Sequence, residues 1–127
     1  MTPIEIVEVR DLSKGRGLKG AALLAAEGAA IARALAPGCC NVVLDERGTQ
    51  FSSPEFSRWL EAQQVQGTRE IAFIVGGPEG IDPILSEQAH LRLSLGKMTW
   101  THEMARLLLL EQVYRALSIS RNIPYHK

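Results

Sequence analysis

The chain has 127 residues, 46% of them apolar and 22% charged, with 14 basic side chains balanced by 14 acidic ones. That length suits one domain spanning 1–127; the composition excludes a disordered chain, and the zero net charge excludes coating nucleic acid by bulk electrostatics. No apolar run approaches the roughly 20 residues of a bilayer span, and Met1-Thr2-Pro3-Ile4-Glu5 lacks the regions of a signal peptide, so no membrane partner and a cytoplasmic location are expected.

In chain order, Ile4 to Val9 has strand propensity with imperfect alternation, and Asp11 to Gly20 reads as a basic, glycine-punctuated loop. Leu18 to Leu35 is alanine-rich and predicts a helix, stopped by Pro37-Gly38. Cys39 and Cys40 are adjacent and have no partner elsewhere, which suggests packed thiols and neither a disulfide framework nor a metal site. Asn41 to Leu44 predicts a short strand. Ser52 and Ser53 offer an N-cap with Pro54 and Glu55 in the first turn, and Phe56, Trp59, Leu60 and Gln63 follow at helical spacing. Ile71 to Val75 is continuously apolar, the pattern of a parallel strand covered on both faces. Asp82-Pro83 caps a short helix, Leu91 to Leu95 alternates as a strand, and Thr101 can cap a final helix from His102 to about Ser120. This alternation predicts an α/β domain with an open, mainly parallel sheet flanked by helices.

Gly76-Gly77-Pro78-Glu79-Gly80 follows a predicted strand directly, at the carboxyl end where open α/β sheets bind ligands. It matches neither the dinucleotide fingerprint nor the phosphate loop of nucleoside triphosphatases. On its own it reads more readily as a tight strand-to-helix turn than as a ligand site. Two local basic excesses stand out: Arg10, Lys14, Arg16 and Lys19 against Asp11, and Lys97, Arg106, Arg115, Arg121 and Lys127 against Glu103 and Glu111. Such patches suit a structured RNA gripped locally, or scattered solvated charge.

GGPEG, then K-M-T-x-x-H from Lys97 to His102, then L-E-Q-x-Y-R-A from Leu110 to Ala116, and finally Tyr125-His126-Lys127, occur in one order. The whole string resembles the RlmH family of bacterial enzymes, SPOUT methyltransferases that methylate N3 of a pseudouridine in large-subunit (23S) ribosomal RNA. The resemblance implies a SPOUT-type sheet with a deep C-terminal trefoil knot, and S-adenosyl-L-methionine as cofactor. It implies that Gly76 and Gly77 lie against the methionine part of that cofactor, that Leu44 supplies an apolar contact, and that Leu95, Gly96, Lys97, Met98, Thr99 and Trp100 wrap the adenine. Gly96 and Thr101 stand where the family frequently has serine and proline. It also implies a homodimer through the C-terminal helix, acting on assembled ribosomes. Family members begin with a further strand and helix before the segment matching Thr2 to Val9. That unit is absent here, and its loss is expected to expose unpaired backbone and apolar surface.

Methylation at a ring N3 requires an in-line donor, departure of the N3 proton and an unstacked base. His126, Tyr125, Arg115 and His102 have suitable chemistry, histidine to accept the proton and arginine to steady developing charge. His126 is expected to precede His102 as proton acceptor, unless the proton leaves to water. As bare residues, His90, His102 and His126 also read as surface or packing groups, Glu111 and Arg115 as a structural ion pair, and the tail after Asn122 as disordered. The family pattern instead predicts a tail folded over the partner's cofactor site. Met104, Leu107 to Leu110, Val113, Leu117 and Ile119 run most of the way around the final helix, which therefore needs cover on nearly all sides. Two alternative functions remain at this point: a transfer-RNA-directed SPOUT methyltransferase, and a non-catalytic knotted dimer serving as a binding scaffold.

Overall fold

The computed structural model describes residues 4–8, 19–77 and 80–127. Seven elements follow one another: α1 (Gly20–Ala34), β1 (Cys40–Gln50), α2 (Ser53–Val65), β2 (Ile71–Ile74), α3 (Pro83–Gln88), β3 (Leu91–Ser94) and α4 (His102–Ser120). The strands form a parallel sheet in the order β2-β1-β3. Moving from β1 to β2 and then back across β1 to β3 reverses direction. Right-handed crossovers therefore put α2 and α3 on opposite faces.

The central strand is the one covered on both sides. Val42 and Val43 are fully buried, and adjacent strand residues point to opposite faces. Val42 joins Leu93, Phe56, Leu60, Leu109 and Ala116 in one core cluster between the sheet, α2 and α4. The continuous apolar run Ile71–Val75 does form a parallel strand, but at the sheet edge, where Ile71, Ala72 and Phe73 stay half-buried. Its pattern predicts full cover because it cannot reveal that β2 pairs with β1 alone among the described strands.

Helix α2 starts where the sequence places it. The Ser52 hydroxyl accepts from Glu55 N–H while the Glu55 carboxylate accepts from Ser52 N–H, a reciprocal capping box. Phe56 stacks between Phe51 and Trp59 and meets Phe73 edge-on. Small residues let α2 and α4 approach closely: buried Ser57 donates to the Ala116 carbonyl at 2.8 Å, and Ser53 donates to Gln112 at 2.7 Å. Thr101 caps α4 by accepting from Met104 N–H. Cys39 and Cys40 are buried free thiols, both pushed up in pKa by desolvation.

One expectation near the amino end meets a different outcome. Ile4 to Glu8 forms no strand, and Ile4, Ile6 and Val7 are exposed. Strand propensity needs a hydrogen-bonding neighbour to become a strand, and Glu8 instead pairs with Arg106 of α4 at 3.1 Å. Val9 and most of the basic loop, including Arg10, Lys14 and Arg16, lie outside the described residues. No described helix is long and apolar enough to cross a membrane.

Candidate functional site

The parallel strands deliver their carboxyl ends to one large cavity of about 1120 Å³. Leu44, at the end of the regular part of β1, forms one wall. Gly76 and Gly77, just past β2, form another. From the segment after β3 come Leu95, Gly96, Met98, Thr99 and Trp100. Lys97, which the sequence also nominates, is exposed and stands outside the lining. His102, the first residue of α4, lines the cavity beside Thr101 and Glu103.

Gly76 is required by packing. A Cβ there would sit 2.6 Å from the Gly80 carbonyl oxygen and 2.7 Å from Ile81, so the loop folds back onto its own first residue. Gly80 N–H donates to the Gly77 carbonyl at 3.0 Å, which draws the loop ends together; Pro78 and Glu79 lie outside the described residues. A branched residue at Gly76 thus collides with the loop itself, before any ligand is considered. Gly96 has φ +122°, a conformation that side-chain-bearing residues rarely adopt, so the serine frequent in the resembling family would be strained on this backbone.

Two contacts hold the Leu95–Trp100 segment in place, and neither shows in local sequence. Buried Ser94 receives the Gly96 N–H at 3.1 Å and directs its single proton to the carbonyl of Glu46 or of Gly96. Thr99 donates to the Glu46 carboxylate at 3.0 Å. The partners are 48 and 53 residues apart in sequence, so periodicity cannot pair them. Asp45, another wall residue, accepts from Arg47 N–H, and this bond together with the Arg47 and Arg92 charges holds its carboxyl below the usual range.

The other three nominated catalytic residues gather at the far end of α4. Glu111 is the hub of that cluster: it accepts from Arg115 at 2.7 and 3.0 Å, from Gln112 at 2.9 Å and from the Tyr125 hydroxyl at 3.1 Å. Arg115 stacks 4.9 Å from the Tyr125 ring centroid, and Tyr125 meets Tyr114 edge-on. The hydrogen bond from Arg115 lowers the Glu111 pKa, and the bond to Glu111 raises that of Tyr125. His126 Nδ1 lies 3.1 Å from Arg115. Arginine has no acceptor, so Nδ1 accepts and the ring hydrogen sits on Nε2. In this arrangement His126 offers a donor, and taking a proton at Nδ1 requires breaking the arginine contact. The sequence pairs Glu111 with Arg115 alone; its role as anchor depends on a tail that returns fourteen residues later.

His102 and Arg115 are thirteen residues apart on one straight helix, about 20 Å at 1.5 Å per residue. A single chain therefore separates His102 and the cavity from the Arg115–Tyr125–His126 cluster.

The family of predicted SPOUT methyltransferases matches residues 1–126. The chain belongs to this SPOUT methyltransferase family. A ribosomal RNA large subunit methyltransferase H of Paracoccus denitrificans is 42% identical over 127 residues, which is the whole of this chain and 77% of the relative. The methyltransferase of the same name from Roseobacter denitrificans is 44% identical over 98% of this chain and 76% of its own length. That from Porphyromonas gingivalis is 42% identical over 96% and 78%.

Proposed function

We propose that the chain is a S-adenosyl-L-methionine-dependent methyltransferase acting on N3 of a pseudouridine in bacterial large-subunit ribosomal RNA. The observation that carries this reading is the cavity at the strand ends, which unites eight of the nine nominated cofactor residues. Its lining has the chemistry the cofactor needs. Leu44, Leu95 and Trp100 offer apolar surface for a purine, the glycine backbone of Gly76 and Gly77 allows close approach, and Asp45, Glu46 and Glu103 offer carboxylates toward the cofactor's ammonium and sulfonium groups. When bound, the cofactor supplies an electrophilic methyl group.

The chain's own residues would orient the target ring and manage its proton. His102 at the cavity is positioned to receive the N3 proton or pass it to water. His126, with hydrogen on Nε2, would donate to a ring oxygen while Arg115 steadies developing charge there. Since one chain separates these groups by about 20 Å, they meet only across a pair of subunits. Met104, Leu107 and Tyr114 form an exposed apolar stripe on α4, on the side away from buried Leu109 and Ala116. A symmetric homodimer through this stripe would cover it and bring each tail to the partner's cavity. In this reading the 1–127 unit is a single domain whose C-terminal segment threads the preceding loop as a trefoil knot.

Calorimetric titration with S-adenosylmethionine, followed by mass spectrometry of large-subunit rRNA after incubation of undermethylated ribosomes with the protein, tests the proposal. The expected result is saturable cofactor binding and one added methyl on a pseudouridine. Absence of cofactor binding at millimolar ligand would support the scaffold reading, and methylation of transfer RNA alone would redirect the substrate.

A further inference from the structure

A second, smaller cavity of about 390 Å³ adjoins the cofactor cavity, and the two share Arg47 and Arg92. Its origin is a break in the β1–β3 ladder. Leu44 and Thr49 both face Leu93, so residues 45–48 are pushed out of register. Bulges of this kind bend a strand and re-aim its side chains, often beside active sites. The excursion is tight: a Cβ on Gly48 would lie 2.5 Å from the Arg92 carbonyl oxygen. The bulge thereby carries Arg47 to the same rim as Arg92.

The chemistry of this small cavity is one-sided. Its polar side chains are Arg47, Arg92, Thr49 and His90, with no carboxylate in the lining. His90 Nδ1 accepts the Asn41 N–H at 3.0 Å, so the remaining ring nitrogen carries hydrogen and is a donor. The Arg47 side chain is 86% exposed, and its only ion pair among the described residues is a 3.4 Å contact with Asp45. Arg92 is exposed and has no side-chain hydrogen bond or ion pair among the described residues; the same Asp45 carboxylate faces both guanidinium groups from the cofactor side. Two cations share one anion, in a protein whose total charge is zero. This concentration of donors is local.

We infer that Arg47 and Arg92 form a cradle for a phosphodiester of the substrate RNA, next to the nucleotide whose base enters the cofactor cavity. Resting on the methyltransferase reading, this deepens it by assigning a substrate-backbone contact. Guanidinium groups pair with phosphate oxygens through two parallel N–H bonds. An unstacked base brings its own flanking phosphates to the cavity mouth, and phosphate contacts set register without reading sequence. The same arginines line the cofactor cavity, so the carboxylate of the cofactor is the competing anion, and the test separates the two.

The experiment compares wild type with Arg47→Ala/Arg92→Ala, using a fluorescein-labelled stem-loop RNA with a pseudouridine in its loop, titrated at several salt concentrations. Calorimetry with S-adenosylmethionine runs in parallel. A matched control, Arg58→Ala/Arg69→Ala, removes the same charge from exposed positions on α2 and just before β2. One lost phosphate contact predicts RNA affinity reduced about tenfold and a plot of log affinity against log salt shallower by about one unit. Cofactor affinity should hold, and the control should behave as wild type. Arg47→Lys/Arg92→Lys should keep the salt slope and recover part of the affinity. Unchanged RNA affinity and slope in the alanine variant overturn the cradle while leaving methyl transfer intact. An equal loss in the control overturns it too, as does loss of cofactor affinity with RNA binding retained. Failure of wild type to bind cofactor removes the methyltransferase reading instead, and the RNA titration still decides the cradle.

Discussion

The two ends of α4 solve the problem of placing reactive groups in opposite ways. At the amino end, by His102, the cavity is shaped by a loop folded onto Gly76, a Gly96 turn at φ +122°, and a segment tied to β1 through Ser94 and Thr99. At the carboxyl end the groups are placed by side chains. Four side chains hold each other around Glu111, and the tail stays exposed. The nominated catalytic groups are thus divided, His102 at the cavity and Arg115, Tyr125 and His126 at the far end, and the proposed homodimer would bring the two sets together. Along the 19-residue helix the two sets stand about 20 Å apart within one chain.

The sharpest way to break the pocket half is Gly76→Val. The new side chain meets Gly80 and Ile81 rather than a ligand alone, so the loop must open. Cofactor affinity should fall about 100-fold, near the upper end of what forcing a side chain into filled space costs. Calorimetry reads that loss, and sedimentation should show an unchanged assembly because the α4 stripe is untouched.

Leu107→Asp attacks the link between the halves. Leu107 is 61% exposed on the outer stripe, and burying one leucine contributes about 1.5–3 kcal/mol, counted twice in a symmetric contact. The variant should sediment as a monomer that binds cofactor but transfers no methyl group. Leu109→Asp should instead destabilise the fold itself, since Leu109 faces the core.

Glu111→Gln loosens the tail half. Arg115 and Tyr125 each keep a weaker neutral acceptor, so methyl transfer should fall about tenfold with cofactor affinity unchanged, as expected for replacing charge-assisted bonds. Because its Arg115 bond depresses the Glu111 pKa, the tail contact is fully present above the ordinary carboxylate value of about 4.3 and is lost as pH falls through the lowered one. Tyr125 ring resonances followed from about pH 6 to about pH 3 should report that loss, and the Gln variant should show none of it.

Ser52→Ala removes the α2 capping box. The cost is about 1 kcal/mol, or about 4 °C in Tm, with cofactor affinity and transfer kinetics unaltered.

What was legible in the sequence follows the range of the interactions involved. The Ser52–Glu55 box and the Thr101 cap are decided within four residues, and both helices begin where the letters place them. The bulge at 45–48 was invisible because its cause is a second strand pressing on Gly48 from Arg92. The burial of β1 rather than β2 depends on strand order, which no single segment encodes. Ile4 to Glu8 has the letters of a strand and no strand neighbour among the described residues. The tail reads as disordered by composition, and its anchor on Glu111 needs contacts eleven and fourteen residues away. Most of the cavity residues were legible only as an ordered string of motifs, never from spacing.

The claim that one site is split between two subunits has a direct test in complementation. Gly76→Val and Arg115→Ala, each inactive as a pure dimer, are co-expressed with different tags, and the doubly tagged heterodimer is isolated. In the heterodimer one intact pocket faces one intact tail. The account predicts methyl transfer restored to roughly half the wild-type rate per dimer, as two-fold symmetry requires when one of two equivalent sites is whole. A heterodimer as inactive as its parents would contradict it, because pocket and tail would then have to come from the same chain.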